Sequence, residues 1–234
     1  MIWILLACTS TETPDSQAAD SSPPTDTAQV DTAPPCEPGL DSDGDGTTDC
    51  DELACVSDPL DVDEVCYTCG WPHGDPGDLT ESGDELGDTI RNLTLYDGCG
   101  DTPGLWDFAG QWKVLMVTTS WCEPCQDEIR AIDGHRADAR ASSGVADLDW
   151  VVVLYEDATR GAPLGDDAAE FSDFVGATGV VPVLSDPTQT APDIMPWDGG
   201  LPGKCLLSPE MVIGTCWSGD DDSDAMSWLA ENAG

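Results

Sequence analysis

The sequence is poor in basic side chains: 7 Lys and Arg stand against 47 Asp and Glu, giving a formal net charge of −40. No basic residue precedes Arg91, so the first part of the chain carries acids alone. A field of that sign repels nucleic acid and anionic lipid headgroups, which argues against both as partners. It suits a soluble, extracytoplasmic or salt-adapted protein, and it attracts divalent cations.

Long hydrophobic runs are also missing, and the apolar start, "MIWILLACTS", is too short to span a bilayer. Residues 1–8 resemble the end of a bacterial lipoprotein signal, and this resemblance implies an acylated cysteine at Cys8. No Lys or Arg precedes the run, and it is shorter than the roughly 7–15 residues of a signal core. A start codon assigned too late would account for both features. The alternatives are an untethered secreted chain and a chance apolar start.

Aromatic residues are absent from residues 9–35, and Val30 is the only branched aliphatic residue there. Such a segment cannot bury enough apolar surface to offset its ordering entropy. We therefore expect a disordered tether rich in Ser, Thr and Pro, of the kind that lets an anchored domain reach its partners.

An acidic loop lies inside a cysteine-rich module predicted at residues 36–70. Its sequence, "DSDGDGTTDCDE", matches a calcium-loop pattern in which alternate carboxylates converge on a hard cation and Gly46 permits the turn. The predicted Ca²⁺ ligands are Asp41, Asp43, Asp45, Thr47 through its carbonyl, Asp49 and Glu52. Prolines before the loop forbid the incoming helix of an EF-hand, so the loop resembles thrombospondin type 3-like repeats. The alternative is an acidic linker that binds cations diffusely.

The cysteine count fits an oxidising compartment. If Cys8 is lipidated and Cys122 pairs with Cys125, eight of the 11 cysteines remain, enough for four structural disulfides. One pairing follows from geometry, because "KCLLSPEMVIGTCW" reads as a hairpin that sets Cys205 opposite Cys216. Connectivity stays open among Cys36, Cys50, Cys55, Cys66, Cys69 and Cys99. The alternative for part of this set is zinc, with Cys66 and Cys69 at ligand spacing and Cys50 and Cys55 completing a tetrahedron.

Residues 71–234 alternate strand and helix patterns. "GDTIRNLTLYDGCG" has strand-like alternation, and "LDWVVVLYED" is an apolar run of the kind found in a buried central strand. We expect a strand at 113–118, helices at 124–140 and 167–175, the cysteine hairpin, and a last helix in "DDDSDAMSWLAEN". This order predicts an α/β fold with a central mixed sheet flanked by helices.

The order of elements and the box "WCEPC", placed where a strand runs into a helix, resemble the thioredoxin fold. More closely, they resemble the membrane-anchored TlpA/ResA-like branch of the redoxin (AhpC/TSA-related) superfamily. The lead-in "GDTIRNLTLYDGCG", the segment "VVPVLSDP" and the hairpin start "GLPGKCLLSPEMVI" add to the resemblance. It covers residues 71–234 and implies a thioredoxin-like fold with thiol–disulfide chemistry.

The resemblance implies a nucleophile at Cys122, a resolving thiol at Cys125 and a cis-proline at Pro202 that faces the pair. Elementary chemistry agrees, because the N–H groups at a helix start stabilise a thiolate and lower its pKa. Pro124 is tolerated in the first helical turn, where no helical hydrogen bond is lost. Trp121 is expected to pack beside the site. Cys125, deeper by one turn, can attack the mixed disulfide formed at Cys122.

One position departs from the thioredoxin pattern: the buried acid six residues before the nucleophile is replaced by Met116. Proton transfer from Cys125 then needs another group or water, and each candidate acid is expected to be exposed. The candidates are Glu128, Glu156 and Asp157. Glu123 should partly oppose thiolate formation. We expect His73 and His135 at the solvated surface.

The leading hypothesis is an envelope-anchored thiol–disulfide oxidoreductase that acts on protein disulfides or thiols, more often as a reductant, without a catalytic cofactor. One alternative is a thiol peroxidase, because Thr119 lies three residues before Cys122 as in peroxiredoxins; the upstream proline of that motif is missing, and Cys125 is unusual there. Another is a calcium-stabilised surface binding module whose thioredoxin fold is only a scaffold. The reduction potential of the pair distinguishes the two directions. A value of about −270 mV would indicate a reductant, and one of about −120 mV an oxidant.

If the acidic loop is a calcium site, the full chain should bind one Ca²⁺ with a dissociation constant of about 10⁻⁴–10⁻³ M, the range of extracellular modules. Replacing both Asp43 and Asp45 by Asn should abolish that binding in isothermal titration calorimetry. The matched control, Asp20→Asn with Asp26→Asn in the tether, removes the same charge and should leave it. Equal loss in both variants would instead indicate diffuse binding.

Overall fold

The computed structural model describes residues 65–73, 77–146 and 148–233. The signal-like start, the tether, the acidic loop at 41–52 and Cys36, Cys50 and Cys55 lie outside the described residues. The first elements are two short antiparallel strands, β1 (Val65–Cys66) and β2 (Pro72–His73), which form a small hairpin. This hairpin spans residue 70, where the sequence predicts a boundary between modules.

One mixed sheet of five strands organises the rest of the described chain. Its strands are β3 (Lys113–Thr119), β4 (Asp149–Glu156), β5 (Val183–Ser185), β6 (Gly203–Leu207) and β7 (Ile213–Ser218). The spatial order is β5-β4-β3-β6-β7. Strands β3, β4 and β5 are parallel to one another, β6 is antiparallel to β3, and β7 is antiparallel to β6. β3 is buried along its whole length, as an apolar central strand should be.

Helices cover the sheet at the predicted places, with one difference. They are α1 (Glu123–Arg130), α2 (Ile132–Ser143), α3 (Gly165–Val175) and α4 (Ser223–Asn232). The single helix predicted at 124–140 is wrong, because the chain leaves helical geometry at Ala131. The break lets α1 pack against α3 while α2 packs against α4. None of the helices within the described ranges is long and apolar enough to cross a membrane.

The predicted α/β architecture is confirmed: helices flank a mixed sheet in a thioredoxin-like arrangement. Each face of the sheet has an apolar core, and the buried apolar residues of α1–α4 all belong to one of the two. Along β3, Val114 and Met116 belong to one core, and Leu115 and Val117 to the other. The segment 87–100 shows the predicted alternation in its burial but makes only isolated bridges. The alternation is therefore confirmed without a strand ladder, since alternation reports which side chains face the core and not whether a ladder forms.

Within the described ranges, two disulfides lie outside the "WCEPC" box. The predicted Cys205–Cys216 bridge is confirmed, and the two residues are directly opposite in the β6–β7 register. Cys69 bridges Cys99, which ties the β1–β2 hairpin to the loop after residue 96. This bridge removes Cys69 from the zinc alternative, because a thiolate ligand cannot also be a disulfide sulfur.

The close packing of β7 on α4 gives a stability prediction. A Cβ at Gly214 would lie 2.4 Å from the Trp228 ring, so Gly214→Ala should lower the free energy of unfolding by about 1–3 kcal/mol through overpacking. Urea denaturation of the purified protein measures it.

The matched control is Gly134→Ala, because Gly134 lies inside α2 and a Cβ there meets nothing within 4 Å. It should raise the free energy of unfolding by about 0.5–1 kcal/mol through helix propensity. If both variants change stability in the same direction, the described contact between Gly214 and Trp228 is not the determining factor.

Candidate active site

The cysteine pair of the "WCEPC" box lies where β3 runs into α1, as the sequence predicts. Cys122 is the N-cap of α1, and its sulfur accepts a hydrogen bond from the backbone N–H of Cys125 at 3.3 Å. The two cysteines form a disulfide with 5.3 Å between their Cα atoms. Pro124 lies in the first turn of α1, where its missing N–H removes no helical bond. The pair is therefore presented by a helix start, whose N–H groups favour negative charge on a nearby sulfur.

Neither cysteine is freely exposed. Cys122 is 5% exposed and Cys125 is fully buried, so the predicted order of accessibility holds by a small margin. The loop that carries them is held by backbone bonds, from Ser120 N–H to the Glu156 carbonyl at 3.0 Å and from Cys122 N–H to the Thr119 carbonyl at 3.2 Å. A partner disulfide must therefore approach along a defined path to reach the Cys122 sulfur.

A cleft of about 680 Å³ lies beside α1, on the side that faces the loop before β6. Both Pro124 and Pro202 line it, and the Leu201–Pro202 peptide bond is cis, as the resemblance implies. Pro182 is not cis. Glu123, Asp127, Glu128 and Asp220 also line the cleft, and the remaining two lining residues are His135 and Gly219. No Lys or Arg lies on its described walls, so the cleft is acidic and disfavours an acidic substrate.

Trp121 lies on another side of the pair and is 39% exposed. Its indole N–H donates to Glu156 Oε2 at 2.8 Å, and the Arg160 guanidinium carbon lies 4.2 Å from its ring centroid. Arg160 has φ of 66°, a left-handed conformation that is unusual for a non-glycine residue. The described contacts of Trp121 are thus with Glu156 and Arg160, and sequence reasoning missed Arg160.

The acids proposed to replace the missing carboxylate have different environments. Met116 is fully buried, as expected for an apolar substitution in β3. Glu156 is half-buried and accepts from Trp121. Hydrogen bonds from the Gly161 backbone N–H and from the Thr159 hydroxyl lower the pKa of Asp157. A carboxylate whose pKa is depressed in this way is a poor proton acceptor, so Asp157 is a weak candidate.

Glu128 is not an exposed acid, and this expectation is wrong. It is 4% exposed and forms an ion pair with Lys204, with Glu128 Oε1 and Lys204 Nζ 2.5 Å apart. The expectation for His135 is also wrong, because its Nε2 lies 3.9 Å from Glu128 Oε2 and its side chain is 30% exposed. Lys204 could have been singled out in the sequence, since it is the one charged residue of "GKCLL" and follows Pro202 by two residues.

Comparisons with known proteins give distant matches among solved structures. No protein-family model and no curated protein matches the sequence. Among solved structures, a domain of a possible thiol-disulfide isomerase from Cytophaga hutchinsonii is 18% identical, with a TM-score of 0.48 over 63% of this chain and 94% of that chain. StoA from Bacillus subtilis is 18% identical, with a TM-score of 0.40 over 59% of this chain and 96% of that chain. The thioredoxin domain of a thiol-disulfide oxidoreductase from Bacteroides vulgatus is 13% identical, with a TM-score of 0.42 over 63% and 94% of the two chains. These are similarities of fold.

Proposed function

We propose that the chain is a thiol–disulfide oxidoreductase in which Cys122 is the nucleophile and Cys125 the resolving thiol. The observation that carries the proposal is the disulfide between these two residues at the start of α1, next to a cleft that includes cis-Pro202. A staple inside one helical turn joins residues that the helix already holds together, so it removes little entropy from the unfolded chain. Exchange chemistry explains its position better than stability does.

The proposed reaction is an ordinary dithiol–disulfide exchange. The Cys122 thiolate attacks a substrate disulfide, a Cys122–substrate bond forms, and one substrate sulfur leaves as a thiolate that takes a proton from water. Cys125 then loses its proton and attacks Cys122, which releases the second substrate sulfur. Two electrons pass from the protein dithiol to the substrate disulfide. Pro202 and Pro124 shape the cleft that receives the substrate chain, and Trp121 forms an exposed wall beside the pair.

The cell envelope is the proposed location, with electrons passing more often from this protein to its substrates. The Cys69–Cys99 and Cys205–Cys216 bridges support an oxidising compartment, because such bridges persist where thiols are not kept reduced. Attachment through a lipid at Cys8, with residues 9–35 as tether, and a structural Ca²⁺ in the acidic loop belong to the same proposal.

Reduction of insulin by dithiothreitol, followed as turbidity, tests the activity. The full chain should accelerate it, and Cys122→Ser should abolish the acceleration because the nucleophile is lost. Cys125→Ser should instead trap a mixed disulfide that is visible on a non-reducing gel, since no second thiol can displace the substrate.

The control is the Cys69→Ser, Cys99→Ser double variant, which removes a disulfide outside the pair and should keep the activity of the folded protein. A Cys122–Cys125 bridge that resists mild reductants as strongly as Cys205–Cys216 does would overturn the proposal. Rapid consumption of hydrogen peroxide with slow insulin reduction would favour the peroxidase alternative.

A further inference from the structure

Arg160 lies in an unusual place for a basic side chain of this acidic protein. It is exposed, and its guanidinium carbon lies 4.2 Å from the ring centroid of Trp121, the residue that precedes Cys122. By contrast, the guanidinium groups of Arg130 and Arg136 each reach an aspartate. No hydrogen bond or ion pair joins the Arg160 guanidinium to a residue that the structure describes. Within the described ranges, a cation therefore lies beside the cysteine pair without a carboxylate partner.

The backbone conformation of Arg160 does not follow from the needs of its turn. Its φ of 66° is left-handed, a conformation that glycine adopts without strain and other residues rarely adopt. Asp157 holds the turn, because its Oδ1 accepts hydrogen bonds from the backbone N–H groups of Thr159 and Gly161 at 2.7 and 2.8 Å. A glycine in place of Arg160 would therefore suit the turn better. A charged side chain kept in a strained conformation beside a reactive site indicates a role for that side chain.

Trp121 and Arg160 together offer what carboxylate recognition requires. The Trp121 ring is held in place by the hydrogen bond from its indole N–H to Glu156 Oε2 at 2.8 Å, and the residue remains 39% exposed. The five N–H donors of a guanidinium lie in one plane as a fork that matches the two oxygens of a carboxylate. Paired hydrogen bonds of this kind are stronger than neutral ones and fix the orientation of the bound group.

The two sides of the cysteine pair differ in charge. Glu123, Asp127 and Asp220 line the cleft beside α1, whereas Trp121 and Arg160 are not among its lining residues. A polypeptide that lies across the pair therefore meets acids on one side and a cation on the other. This difference can determine the direction in which the substrate chain binds.

Two acids lie close to Arg160 in the chain, and both bind other groups. Glu156 accepts from the Trp121 indole N–H, and Asp157 accepts from the N–H groups of its own turn. Neither carboxylate is within ion-pair distance of the guanidinium. More distant acids of the chain contribute little, because the Debye length is about 8 Å at physiological ionic strength. The local cation therefore decides which charge is favoured beside Trp121.

We infer that Trp121 and Arg160 form a subsite for a substrate carboxylate, an inference that rests on the proposed function. The preferred substrate is a disulfide-bonded polypeptide with an acidic residue near the cysteine that Cys122 attacks. The Arg160 guanidinium donates two N–H bonds to that carboxylate across the face of Trp121. Two or three extended residues, which span about 7–11 Å, separate the acidic residue from the attacked cysteine. The neutral or basic side of the substrate then lies in the acidic cleft.

The experiment uses the reduced full chain and synthetic peptides that carry one cysteine as its mixed disulfide with pyridine-2-thiol. Each peptide has Asp two or three residues before or after the cysteine, and its matched partner has Asn there. Exchange releases pyridine-2-thione, which is followed by absorbance, and the Cys122→Ser, Cys125→Ser variant supplies the blank. In 0.15 M salt, at least one Asp peptide should react about three- to fivefold faster than its Asn partner, the effect of a partly exposed ion pair.

Arg160→Gly should remove this preference, because it deletes the guanidinium while glycine adopts the left-handed turn without strain. Arg160→Glu should invert it, so that the Asn peptide reacts faster. The matched control is Arg91→Ala, which removes the same charge from an exposed arginine that lines a recess with Glu81 and Ser82. This control should keep the preference. In 1 M salt the preference of the wild type should shrink, since the Debye length falls to about 3 Å.

Equal rates for every Asp and Asn pair in the wild type would overturn the inference and leave the proposed function standing, because exchange itself would still occur. A preference that survives in Arg160→Gly would also overturn it. Equal slowing of both peptides in that variant would contradict it too, since this would give Arg160 a role in the shape of the loop and not in charge selection. Absence of thione release above the blank would instead remove the proposed function, and this inference with it.

Discussion

The pairing of β3 with β6 is the constraint on which the rest of the site depends. β3 carries the chain into Cys122, and β6 begins directly after Pro202, so their register fixes the distance between helix start and cis-proline. In that register Val117 faces Gly203 and Met116 faces Lys204. A slip of one residue would turn Lys204 to the other face of the sheet and expose Cys205 to the α1 side. Hydrophobic alternation on both strands opposes this slip, because Leu206 of β6 belongs to one apolar core while Cys205 and Leu207 belong to the other.

The scarcity of basic side chains makes their placement informative. Within the described chain most of them pair with acids, carbonyls or aromatic rings: Arg130 with Asp127, Arg136 with Asp149, Arg140 with the Leu148 carbonyl, Arg160 with Trp121 and Lys204 with Glu128. The contribution of each pair to stability depends on its burial. An exposed pair such as Arg130–Asp127 contributes at most about 1 kcal/mol, whereas removing one partner of a buried pair costs about 3–5 kcal/mol. The acids that remain are mostly solvated. Within the described residues the charge imbalance is therefore largely a surface property, although four acids (Asp97, Glu128, Asp149 and Asp186) and two lysines (Lys113 and Lys204) are buried.

Much of the fold was predictable because it rests on local patterns. The strand before the cysteine pair and the cysteine hairpin follow from residues within a few positions of one another, whereas the cis-proline is implied by the family resemblance. The break at Ala131 was not predictable from local patterns. No Pro or Gly marks it, and the two helices that meet there, α1 and α2, pack on different helices. The Glu128–Lys204 pair joins residues 76 apart in sequence, so only the register of β6 reveals it. Long-range pairing of this kind is what turned a predicted surface acid into a buried one.

The sheet also separates the two kinds of disulfide that this protein contains. Adjacent residues of a strand point to opposite faces, so Lys204 faces the side of Cys122 and Cys125 while Cys205 faces the other core. A thiolate at Cys122 therefore has no line of attack on the Cys205–Cys216 bridge, because the backbone of the sheet lies between them. Cys205 is itself fully buried, which removes its sulfur from solvent reductants as well. One strand can thus position the proposed exchange site and carry a second bridge, since the alternation of side chains places each disulfide on its own face.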